Sequence, residues 1–256
     1  MERGANVPSK PLRVPRQRSR IRILGLDLAA SPRRPTGFCV LSGRRVHVGH
    51  LYSDEDILAT VATADPQLIA IDAPLALPAG RCCLRNTCTC AGTTHFRVSD
   101  YELRRLGIRF FPMTLGPMRQ LTQRGMQLKV ALEARGMRVI ETYPGAAQDI
   151  WGIPRQRDVP GLRRGLLRFR LHGLGRTERS PHVLDAVTCA LVGKLYLDGG
   201  AWSIGSPDEA LMILPPLPLA ETTCTRQETP AGSTRPLEGV RPERIRLPTV
   251  PPVREE

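Results

Sequence analysis

Aromatic residues are scarce in this chain: Phe, Tyr and Trp make up 4% of its 256 residues. A surface that stacks successive bases needs such rings. Their scarcity counts against a protein whose whole task is to hold unpaired nucleic acid. Lysine is rarer still. Of 37 basic residues only Lys10, Lys129 and Lys194 are lysine, which leaves 34 arginines. Abundant Arg, Ala, Gly and Pro together look like the coding bias of a GC-rich genome, so the formal net charge of +13 is partly compositional. No run reaches the roughly eighteen apolar residues of a membrane-spanning helix. The basic N-terminus lacks the apolar segment of a secretory signal. These absences predict a soluble, cytoplasmic protein with no membrane partner.

What charge there is lies unevenly. Residues 1–22 hold seven basic residues and one acidic, and residues 216–256 hold six of each. The body between them keeps +7, a moderate attraction for phosphate. Residues 1–20 set Pro8, Pro11 and Pro15 among Arg and Ser with no apolar period, and residues 215–256 carry nine of the 24 prolines and no aromatic residue. Both stretches read as disordered, a basic arm and a proline-rich tail. One domain, about 21–214, remains.

Within it, 21–28 and 36–41 are apolar strands, and 45–51 alternates. The short Ser42-Gly43 link signals a hairpin. A helix over 54–64, a strand over 67–71, a helix over 118–135 and a strand over 137–142 follow. Short helices fill 145–170. Ser180-Pro181 opens a long helix to about Leu197, with Ser as the cap and Pro in the first helical position. Strands separated by helices pair in parallel through right-handed crossovers. The pattern predicts an α/β sandwich on a mixed sheet.

Four carboxylates stand where acids are costly. Asp27 interrupts an apolar strand, Asp72 ends another, Glu141 lies near the end of a third, and Asp185 sits in the apolar stretch of the last helix. An unpaired buried carboxylate is expensive. Singly, each has an ordinary explanation: a turn residue, a partner of some arginine, a bond to nearby backbone. Together they fall at strand ends that a parallel sheet brings to one edge, where ligand sites of open α/β sheets form. Such a cluster repels itself unless a cation joins it. Oxygen ligands suit Mg²⁺ or Mn²⁺, and two such ions can drive phosphodiester cleavage.

Six motifs carry a family resemblance: Gly-Leu-Asp-Leu-Ala (25–29), Arg-Pro-Thr-Gly (34–37), Ile-Asp-Ala-Pro (71–74), Leu-Thr-Gln-Arg-Gly (121–125), Glu-Thr-Tyr-Pro-Gly-Ala (141–146) and His-Val-Leu-Asp-Ala (182–186). In this order they resemble domain-of-unknown-function family 429, predicted nucleases with the RNase H-like fold. The resemblance covers about 21–214. It implies a three-layer sandwich on a five-stranded sheet ordered 3-2-1-4-5, strand 2 antiparallel, with helices on both faces. It places Asp27, Asp72 and Asp185 at a Mg²⁺ or Mn²⁺ site with Glu141 alongside as ligand or base. His182, three residues before Asp185, shares its helix face and either orients a ligand, moves a proton, or is an ordinary buried histidine. Arg119 and Arg124 either grip phosphate in bidentate fashion or are surface arginines.

Four of seven cysteines crowd into an insert at about 80–97: Cys82, Cys83, Cys88 and Cys90, followed by His95. In a cytosolic protein such clustering suggests metal or redox chemistry before disulfides. Tetrahedral Zn²⁺ would clip the loop; a redox-sensitive set of free thiols and an iron–sulfur cluster are the alternatives. Cys39 and Cys189 look like core thiols.

The functional expectation is a metal-dependent nuclease acting on DNA or RNA. A non-catalytic nucleic-acid binder would instead rely on the basic body and arm. An ATP-using enzyme of the actin and sugar-kinase architecture also begins with Asp on strand one. It needs glycine-rich phosphate loops, yet Leu-Ala-Ala-Ser-Pro-Arg-Arg follows Asp27.

Overall fold

A computed structural model of the chain describes residues 21–217 apart from 93, 176 and 177. The basic arm and, beyond residue 217, the proline-rich tail lie outside the described residues, as does Cys224. Three strands open the domain: β1 (Arg22–Asp27), β2 (Thr36–Ser42) and β3 (Arg45–Leu51), antiparallel in succession. Helix α1 (Asp54–Ala64) crosses to β4 (Leu68–Asp72), which pairs parallel with β1. A long segment then carries α2 (Val98–Arg105) and leads to α3 (Gly116–Glu133) and β5 (Val139–Thr142), parallel to β4. Next come α4 (Pro144–Ile150), α5 (Val159–Leu167) and α6 (Pro181–Leu197). The described chain ends in a hairpin of β6 (Trp202–Ile204) and β7 (Met212–Leu214).

The sheet has seven strands in the order β3-β2-β1-β4-β5-β7-β6. Five strands were expected, and their order 3-2-1-4-5 is present, but β7 adds to the free edge of β5 in parallel. Each extra strand is three residues long, too short to show the period of two that marks a strand in sequence. Helix α2 was missed for a similar reason. Its eight residues include Asp100, Glu102, Arg104 and Arg105, so it shows little apolar stripe.

Side-chain alternation divides the sheet into two cores. Leu24, Leu26, Ile69 and Ile71 pack with Ile57 of α1 and Leu128 and Leu132 of α3. Ile23, Leu68, Ala70 and Ile140 pack on the other face with α5 and α6. Helices therefore cover both faces. Helix α6 is buried on every side from Val183 to Gly193, which explains why its sequence is apolar all round. Its approach to the sheet requires glycine at two points. A Cβ on Gly25 would stand 2.2 Å from the Ala186 carbonyl oxygen, and one on Gly37 would stand 2.0 Å from that of His182. Among the described residues no helix is long and apolar enough to cross a membrane.

Candidate metal centre at the strand ends

Asp27 is the last residue of β1 and Asp72 the last of β4, and the two are direct partners in the parallel register. Neighbouring parallel strands lie about 4.8 Å apart, so both carboxylates leave the same face of the sheet side by side. That face is the one covered by α6. Gly37, the other register partner of Asp27, lets the first turn of α6 descend onto the strand ends. His182 and Asp185, one helical turn apart, thereby reach the aspartates. His182 Nδ1 lies 2.7 Å from Asp27 Oδ2. Asp185 is buried, and its Oδ1 accepts a 2.6 Å hydrogen bond from Gln148 Nε2 of α4. The sequence-predicted His182 and Asp27 thus touch, and Asp72 and Asp185 lie near enough to Asp27 to feel its charge. Among the described residues the three carboxylates are not drawn as closely around one point as the thiols of Cys82, Cys83, Cys88 and Cys90.

The electrostatics are those of a site short of positive charge. Burial raises the pKa of Asp27, while the His182 contact works against it. Asp185 is pushed up to about 7 by burial first and the nearby charge of Asp27 second. Asp72 is raised well above the usual carboxylate range by burial, then by Asp27, Asp185 and Glu141 in turn. Its side chain makes no hydrogen bond or ion pair among the described residues. The Asp27 carboxylate in turn raises the pKa of His182.

Glu141 does not join them. It is the register partner of Ile71, not of Asp72, so its side chain leaves the opposite face. There Arg97 grips it with two hydrogen bonds, 2.7 Å to Oε2 and 2.5 Å to Oε1, and the Leu75 backbone amide donates a third at 2.7 Å. Both oxygens are committed, so the expected role as ligand or base is replaced by a structural one. Arg97 itself is 1% exposed and also donates to the Glu209 carbonyl. Asp100 lies beside it at 3.9 Å. The Glu209 carboxylate caps the Ala79 and Val98 amides. This knot ties the long segment after β4 to β5 and to the final hairpin. Arg97, Glu209 and Gln148 were not anticipated. Gln148, a lone amide after Ala146-Ala147 on a short helix, was the most readable of the three.

Arg124 is likewise spent on structure. Its guanidinium donates to Asp54 Oδ1, the Ala29 carbonyl and the Tyr52 carbonyl at 2.7–2.9 Å. A bidentate phosphate grip would have to break these bonds. Arg119 donates through Nε to the Thr114 carbonyl and lines a cavity of about 600 Å³ with Leu77, Cys83, Arg85 and Gln123.

The insert after β4 gathers four thiols. Cys82 Sγ lies 3.5 Å from both Cys88 Sγ and Cys90 Sγ, and Cys83 Sγ lies 3.9 Å from Cys90 Sγ. Sulfur atoms of all four lie within 4.8 Å of one another, so the set can hold a metal ion. The adjacent Cys82 and Cys83 both take part. His95 does not; its Nδ1 meets Thr114 Oγ1 at 3.1 Å. Buried Arg81 holds the loop by donating to the carbonyls of Cys83, Ala91 and Thr94. Cys39 and Cys189 are buried core thiols.

The domain is thus a mixed α/β fold with an aspartate cluster at the carboxyl ends of its central strands. Residues 25–210 match the family model for the proteins of unknown function called DUF429. The chain belongs to that family. No curated protein matches it in sequence.

Proposed function

We propose that this protein is a metal-dependent nuclease of RNase H-like architecture, which hydrolyses phosphodiester bonds in nucleic acid at the Asp27, Asp72 and Asp185 cluster. Asp72 carries the reading: a carboxylate that feels the charge of Asp27 and Asp185 and has no hydrogen-bond or ion-pair partner among the described residues. Uncompensated buried carboxylates are costly, and a hard divalent cation bound by oxygen, Mg²⁺ or Mn²⁺, is the compensation that suits them. Such an ion, when bound, lowers the pKa of a water and shields the phosphate oxygens. The chain's own residues prepare the place. His182 holds one oxygen of Asp27 and Gln148 one oxygen of Asp185; Asp27, Asp72 and Asp185 would hold the ion. His182 is a positioning residue in this scheme. The basic body favours approach of a polyanion.

The four thiols support a second, structural ion. With Zn–S bonds of about 2.3 Å, a tetrahedron has sulfur–sulfur edges of about 3.8 Å; the closest pairs here are 3.5–3.9 Å apart. An iron–sulfur cluster spreads its thiolates around several irons, so the compact set favours a single Zn²⁺.

Cleavage of labelled single- and double-stranded DNA and RNA in Mn²⁺ or Mg²⁺ tests the main reading. Wild-type protein is expected to cut at least one of them, and Asp72→Asn to cut none. Absence of cleavage across that panel, with no heat of Mn²⁺ binding, refutes it.

A further inference from the structure

Four of the eleven aromatic residues of this chain lie close together in sequence. Phe96, Tyr101, Phe110 and Phe111 fall in one short segment comprising α2 and its flanks. Phe96 stands edge-on to Tyr101 and Phe110, with ring centroids 5.7 and 6.0 Å away. The guanidinium of Arg104 lies 4.7 Å above the Phe96 ring. Tyr101 is 46% exposed and Phe111 72%. Arg104, Arg105 and Arg109 are exposed and enter no ion pair among the described residues. Exposed Tyr101 shares helix α2 with exposed Arg104 and Arg105, and exposed Phe111 follows exposed Arg109 by two residues, so the segment offers apolar and cationic groups together.

Its location matters as much as its makeup. The Arg109 carbonyl accepts hydrogen bonds from Tyr143 Oη at 2.7 Å and from Arg155 at 3.2 Å. Tyr143 directly follows β5, and Arg155 stacks on its ring at 5.5 Å. The aromatic segment is therefore moored at the carboxyl end of β5, the strand next to the one that ends in Asp72.

We propose that this segment binds unpaired nucleic acid, stacking bases on Tyr101 and Phe111 and holding phosphates with Arg104, Arg105 and Arg109. The proposal rests on the nuclease reading and deepens it: the substrate presents a single strand at the carboxylates. Duplexes hide the faces of their bases, so exposed rings gain nothing from them, whereas every unpaired base offers a face to stack. Guanidinium groups add phosphate contacts and cation–π contacts to the same ligand. A protein partner would need acidic groups opposite three arginines as well as an apolar face; failure of single strands to bind better than duplex is the outcome that favours it.

The experiment measures fluorescence anisotropy of labelled twenty-nucleotide oligo-dT, oligo-U and a duplex of equal length on the full-length protein. Divalent cations are omitted so that nothing is cut. Single strands are expected to bind tighter than duplex. The double variant Tyr101→Ala/Phe111→Ala should weaken single-strand binding by about tenfold or more and leave the salt dependence unchanged. The triple variant Arg104→Gln/Arg105→Gln/Arg109→Gln should weaken it and flatten the slope of log affinity against log salt by about 2. Both variants change exposed side chains, and circular dichroism checks their folding. Equal affinity for duplex, or ring substitutions without effect, overturns the proposal. Asp72→Asn must still bind single strands. Binding that follows this pattern without cleavage in Mn²⁺ refutes the nuclease reading and leaves the surface standing. Cleavage with an unchanged rate in the ring variant does the reverse.

Discussion

Replacing Asp185 by Asn should stabilise the protein when divalent cations are absent. The buried carboxyl titrates near 7 instead of near 3.8, so keeping it ionised inside the fold at pH 8 costs about 4 kcal/mol at 1.36 kcal/mol per pH unit. Allowing for relaxation around the charge, we expect Asp185→Asn to gain about 2–4 kcal/mol at pH 8. Asn retains an oxygen to accept the Gln148 bond, so little is lost in exchange. The sign with pH is definite. A raised folded-state pKa means that the folded form holds the proton more tightly than the unfolded chain. Wild-type stability from this group is therefore complete below about pH 4 and is lost as pH rises towards about 7. The variant lacks that slope. Urea unfolding at several pH values in the presence of a chelator of divalent cations reads the difference. With millimolar Mn²⁺ the order should reverse at pH 8, because an ion that binds only the folded wild-type site stabilises it by mass action. A variant no more stable than wild type at pH 8 in chelator, or one that gains as much from Mn²⁺, would refute the account of this cluster as a charge-starved cation site.

The remaining expectations concern the supports around the cluster. Arg97→Met strands the buried Glu141 carboxylate and should cost about 3–5 kcal/mol in urea unfolding; Arg97→Met/Glu141→Leu should recover most of it, whereas equal loss in both would show that the pair's charge is not the issue. Arg124→Met removes three hydrogen bonds that join α3 to the first turn of α1 and to two carbonyls, and should lower stability by about 2–4 kcal/mol while leaving the affinity for oligonucleotide unchanged. A selective loss of binding in a stable protein would return Arg124 to a substrate role. Purified protein should contain about one Zn²⁺ per chain at the thiols, by mass spectrometry, and Cys83→Ser/Cys90→Ser should contain none. Iron, or no metal at all, would exclude the zinc clip.

Asp27, Asp72 and Asp185 stand out in sequence because charge within apolar periodicity has few benign explanations. The same reasoning misplaces Glu141. Its position near a strand end is right, but a shift of one residue in register turns a side chain to the other face. Ile71, not Asp72, is its partner. Arg124 lies in a motif that suggests phosphate, yet its three contacts are with Asp54, Ala29 and Tyr52, far away in the chain and invisible to spacing. His95 follows the cysteines closely and still turns to Thr114, because nearness along a loop says little about where a side chain points. Four of the eleven aromatic residues fall within 96–111, so a low overall share does not by itself exclude a local stacking surface.

Local chemistry along the chain is enough to establish the central strands, the long helices and the three aspartates. Apolar runs, capping residues and misplaced charges act over a few neighbouring residues, and those are adjacent in sequence. The three-residue strands, the face on which each carboxylate emerges, the closing of four thiols around one point and the mooring of the α2 segment at Tyr143 depend on register and on contacts between distant segments. Folding settles them together, since burying one face of the sheet under α6 is what brings His182 and Asp185 down onto Asp27, and glycine at 25 and 37 is what allows it.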